Sequence, residues 1–69
     1  MEIETLARMA GQISANFAGL TDDQAVTRIA DHLKSFWTPA MLDELGDYAH
    51  AHPTEIDPRV TTALSRLGV

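Results

Sequence analysis

A chain of 69 residues with no cysteine must rely on one small core, without disulfides, thiolate metal sites or iron–sulfur ligation. Ten Asp and Glu against five Lys and Arg give a formal net charge of −5, which argues against nucleic-acid binding and for solubility or docking on a basic surface. The start, MEIETLARMAGQ, has neither a basic leader nor a continuous apolar run, so the chain reads as cytoplasmic, neither secreted nor membrane-spanning. The expected remaining support for so small a domain is a partner chain, whether a second copy or a different protein.

Ile3, Leu6, Met9, Ala10, Ile13, Phe17 and Leu20 recur at spacings of three and four, which predicts an amphipathic helix over about residues 3–18. Gly19 is placed to stop it. Gly11, inside it, either costs about 1 kcal/mol relative to alanine or, the preferred reading, marks a point where another backbone approaches closely. The second helix, about 22–37, has the clearest start: Thr21 as N-cap, Gln24 three residues on completing a capping box, and Asp22 and Asp23 in the first turn, where the helix dipole favours negative charge. Its apolar stripe is Val26, Ile29, Ala30, Leu33 and Trp37, with Arg28, Asp31 and Lys34 toward water. Phe36 lies about 100° from Trp37, which makes the last turn a broader aromatic face than one neighbouring helix needs.

Thr38-Pro39 reads as an N-cap followed by proline at the first helical position, and proline there prevents the second helix from running on. The third helix, about 39–50, should bury Met41, Leu42, Leu45, Tyr48 and Ala49, with Gly46 weakening it. AHAHPTEIDP is the one evident linker. Asp57-Pro58 repeats the cap-and-proline device before a helix over about 58–67 that carries Val60, Ala63, Leu64 and Leu67. No alternating strand pattern, repeat or low-complexity tract interrupts this, so the fold class is all-α, a single domain of three to four short helices.

Chemistry is hard to find. His50 and His52 form an H-x-H pair, but residues two apart on a helix diverge, and the usual helical ligand pair is spaced by four. The two read as caps on helix-end carbonyls, and His32 as a surface or interface residue; a zinc-binding role for the three ranks far below these. Ser14, Ser35 and Ser65 lie in no nucleophile or phosphate-loop motif. Asp22, Asp23, Asp43, Glu44 and Asp47 suit capping or solvated faces. No catalytic, cofactor-binding or metal residue is assigned. The Phe36-Trp37 corner remains: Trp37 belongs on the core stripe, and Phe36, off the stripe with methionines in the neighbouring sequence, suits a protein interface.

At this point particular residues resemble a known family, the small delta subunits of NAD-dependent, molybdenum-containing formate dehydrogenases. The first helix matches its pattern at Met9, Ala10, Gln12, Ile13 and Phe17. The second signature is matched by Ile29, Ala30, His32, Leu33, Phe36, Trp37, Pro39 and Met41. The chain departs from the family where Asn and extra arginines are often found, having Gly11, Ser35 and Ala40 instead, which leaves an aromatic and not a basic docking face.

The resemblance implies a non-catalytic accessory subunit, or a maturation factor, of an enzyme that oxidises formate and reduces NAD. The cofactors it implies, bis-molybdopterin guanine dinucleotide, iron–sulfur clusters and FMN, belong to the large subunits and not to this chain. The expected partner is the large subunits, alpha foremost, met by His32, Phe36, Trp37, Pro39 and Met41. In that arrangement Trp37 braces the second helix against the third, while Phe36, Met41 and His32 face the partner. The competing reading is a stand-alone helical regulator or homodimer using the same apolar corner.

Overall fold

The computed structural model describes residues 2–69, and among them the chain forms four helices and no strand: α1 (Ile3–Ala15), α2 (Asp22–Phe36), α3 (Pro39–Ala51) and α4 (Pro58–Arg66). Each of the last three starts where the sequence places an oxygen-bearing cap. Thr21 Oγ1 accepts from the Gln24 N–H at 3.2 Å while Gln24 Oε1 accepts from the Thr21 N–H at 3.3 Å, completing the capping box. Thr38 Oγ1 accepts from the Met41 N–H at 3.2 Å, and Asp57 Oδ1 accepts from the Arg59 N–H at 2.8 Å. Proline stands directly after both of these caps, where no helical N–H is lost.

The core joins all four helices. Leu6, Ile29, Leu33, Leu45 and Val60 are its largest fully buried side chains, with Ala10, Ala25, Ala49 and Ala63 allowing the backbones to approach. α2 and α4 share the most extensive packing. Their outer edges are tied by two ion pairs, Arg59 to Asp22 at 2.9 Å and Arg66 to Asp23 at 2.8 Å, and Arg66 also donates to Thr27 Oγ1. The result measures 28 × 24 × 19 Å.

Three expectations need correction. α1 ends at Ala15 and not near residue 18, because the N–H groups of Phe17, Ala18 and Leu20 turn to carbonyls three residues back and wind the chain into tight turns that run on through Gly19. Gly11 has open space around it, so no backbone packs there. The close approach is at Gly46, against which the Val69 side chain rests. The linker also contributes more than a connection: Ile56 is buried in the core, and the buried Ser14 hydroxyl donates to Asp57 Oδ2 at 2.9 Å.

Candidate partner-docking site

The corner between α2 and α3 consists of two extended residues. Trp37 (φ −100°, ψ 142°) leaves the helix while its N–H still bonds the Leu33 carbonyl, and Thr38 (φ −74°, ψ 158°) takes the conformation required before proline. This break decides the fate of the two aromatics. Trp37 is only 7% exposed and joins the core, whereas Phe36, the last residue of α2, is 74% exposed and is, among the described residues, the large apolar side chain left in solvent. One turn back, the His32 ring packs against Phe36, with centroids 4.8 Å apart and planes tilted by 44°.

Of the five residues expected at a docking face, the structure thus brings His32 and Phe36 into contact. Pro39 is exposed at the start of α3, and Met41 is half-buried, leaning on the core. Trp37 offers a partner little surface. It lines an open groove of about 560 Å³ with Pro39, Leu42 and Leu67, flanked by Lys34, Asp43 and Arg66. The groove depends on the turn after α4, where Gly68 adopts φ 79° and lets the chain fold back. A glycine directly after the last periodic leucine is the signal that marks this turn in the sequence.

The histidines do not converge. His52 is the C-cap of α3, and its Nδ1 pairs with Glu55 Oε2 at 3.0 Å instead of capping a carbonyl; its ring packs against that of Tyr48, with centroids 4.6 Å apart and planes tilted by 37°. Among the described residues no group of three or more His, Asp and Glu is arranged to hold a metal ion. Partial burial pushes the Tyr48 phenol above its ordinary value, and the Glu55 and Glu4 carboxylates push it further. No helix among the described residues is long and apolar enough to cross a membrane.

Residues 5–64 match the family of NADH-dependent formate dehydrogenase delta subunits, FdsD. The chain belongs to this family. The match runs from Thr5 in α1 to Leu64 in α4 and so spans every helix, the corner included. Comparison with curated proteins and with solved structures gives no match. The family is defined by its place in a formate dehydrogenase complex, and the resemblance carried by the Phe36-Trp37 signature agrees with it.

Proposed function

We propose that the chain is a non-catalytic delta subunit of a cytoplasmic, NAD-dependent molybdenum formate dehydrogenase, docked on the larger subunits through Phe36. The alpha subunit is the expected contact, and the bis-molybdopterin guanine dinucleotide, iron–sulfur clusters and FMN lie in the partner chains. The observation that carries this reading is the pairing of family membership with an aromatic that is 74% exposed beside one that is 7% exposed. A domain this small gains nothing from placing Phe36 in water, and a partner that covers it recovers the burial. His32 supports one side of the ring, Trp37 anchors the corner from within, and Pro39 fixes the direction in which α3 leaves it.

Association with the enzyme is the test. Tagged wild-type chain should retain the dehydrogenase subunits through purification, and Phe36→Ala should lose them, since truncating a buried aromatic anchor typically costs about 2 kcal/mol or more of binding. Equal recovery by the two would sink the proposal. Formate-dependent NAD reduction and molybdenum content in cells lacking the gene divide the remaining roles: loss of both assigns maturation of the molybdenum site, and loss of activity with molybdenum retained assigns a structural place in the assembled complex.

A further inference from the structure

The turn after α4 reaches back to the docking corner. Gly68 takes φ 79°, a left-handed conformation that is free to glycine and costly to residues with a β-carbon. Two backbone bonds of 3.1 Å close the turn, from the Gly68 N–H to the Ser65 carbonyl and from the Val69 N–H to the Leu64 carbonyl. The reversal returns Leu67 and Val69 to the core, where both are half-buried, and sets the Val69 side chain on Gly46 of α3.

One groove joins this turn to the corner. Leu67, Gly68 and Val69 line it together with Trp37, Pro39 and Leu42. The turn thus bears on both elements that meet at the corner: on Trp37, whose extended backbone directly follows Phe36, and on α3, which it touches at Gly46. Phe36 itself is not among the residues that line the groove. The family match stops at Leu64, so membership by itself assigns this turn no role.

From this arrangement we infer that Gly68 is a positioning residue for docking: the turn it permits holds α3 and Trp37 in one arrangement, and that arrangement fixes the direction in which Phe36 is presented. The inference deepens the proposed role as a subunit and rests on it. A domain of 69 residues has little core with which to keep a two-residue corner rigid, and a strap across the corner supplies what the core lacks. Rigidity matters to binding in a definite way. A surface already set in its bound geometry avoids the ordering cost on association, and one that is competent only part of the time binds more weakly in proportion to that fraction. Gly68 acts through Leu67, Val69 and Trp37 and touches no partner itself.

The test uses the full chain, the purified dehydrogenase freed of it, and the emission of Trp37, the single tryptophan. Gly68 is replaced by Asn, which accepts the left-handed conformation, and by Ala and Val, which accept it progressively less well. Helical circular dichroism should persist, while the tryptophan emission moves to the red and the affinity falls in that order, little for Gly68→Asn and about tenfold for Gly68→Val. Should Gly68→Val fail to fold, Gly68→Ala set against Gly68→Asn decides. Ser14→Ala, which weakens the fold at Asp57 and not at the corner, separates positioning from stability: it should melt earlier and keep wild-type affinity and emission. Wild-type affinity in Gly68→Ala and Gly68→Val would overturn the inference alone, as would an unshifted emission, or a loss of affinity in Ser14→Ala that tracks its melting temperature. Failure of the wild-type chain to bind would overturn the subunit reading and this inference with it.

Discussion

The Val69 side chain rests on the backbone of Gly46, in the space a β-carbon would need. Two hydrogen bonds of 3.1 Å hold Val69 there, from the Val69 N–H to the Leu64 carbonyl and from the Gly68 N–H to the Ser65 carbonyl, a Schellman turn at the end of α4. A glycine that costs α3 about 1 kcal/mol of helix propensity relative to alanine is thus explained by what packs on it. The two positions should be coupled. Gly46→Ala in the wild-type background should be neutral or destabilising, because the added methyl displaces Val69, and in a Val69→Ala background it should stabilise by about 1 kcal/mol. Denaturant melts of the four proteins measure this, and strictly additive effects would show that the turn does not press on α3.

Asp57 holds two donors at once. Oδ1 caps the first turn of α4 at the Arg59 N–H, and Oδ2 accepts from the Ser14 hydroxyl, which is 3% exposed. Asp57→Ala should cost about 2–3 kcal/mol, the sum of a lost cap and a buried hydroxyl left without a partner. Ser14→Ala removes donor and need together and should cost about 1 kcal/mol. In the double variant the penalty should fall short of the sum, since the orphaned hydroxyl is gone. Additivity in thermal melts would mean that the bond is absent in solution.

The surface pairs should matter less. Arg66 and Asp23 are 44% and 83% exposed at their side chains, so Arg66→Ala should cost no more than about 1 kcal/mol, shrinking as salt is added. A larger, salt-insensitive loss would place the contribution of Arg66 in its packing along α2 and not in its charge.

How much of this was legible depended on whether the signal was local. The capping box at Thr21, the Thr38-Pro39 and Asp57-Pro58 starts and the opposite fates of Phe36 and Trp37 follow from residues within one or two turns of each other, so spacing alone exposes them. The roles of the two glycines were reversed for the opposite reason. Gly11 and Gly46 look alike along the chain, and only the fold brings Val69 onto one of them. Ser14 carried no motif because its partner lies 43 residues away. Ile56, a lone apolar residue in a polar linker, offered no period to read.

Tyr48 is the single tyrosine of the chain, so its titration can be followed without interference. Its folded pKa lies above the ordinary 10.0, chiefly through partial burial and then through Glu55 and Glu4. A raised value means that the folded state holds the proton more tightly than the unfolded one. The stability this contributes is complete below pH 10.0 and is lost as pH rises through the folded value. Tyrosinate absorbance should titrate above 10.0 in the native chain, and Glu55→Gln should lower the midpoint only in part, because burial is the larger cause. A midpoint at the ordinary value would mean that the phenol is free of both.

Phe36 and Trp37 adjoin in sequence and should differ in what they stabilise. Trp37→Ala removes a side chain that is 7% exposed and opens a cavity where α2, α3 and the end of the chain meet. Such truncations cost about 3–5 kcal/mol, a large share of the stability available to a domain of 69 residues, so the variant should be largely unfolded. Phe36→Ala removes a ring that is 74% exposed and meets His32, and should change the melting temperature of the isolated chain little. Binding reverses the interest of the pair. Phe36→Ala should keep the far-ultraviolet circular dichroism of a folded helical protein and fail to hold the dehydrogenase, and Trp37→Phe, which keeps the core filled better than alanine, should still bind. If Phe36→Ala unfolds the chain, the ring is a core residue and is not the anchor offered to a partner.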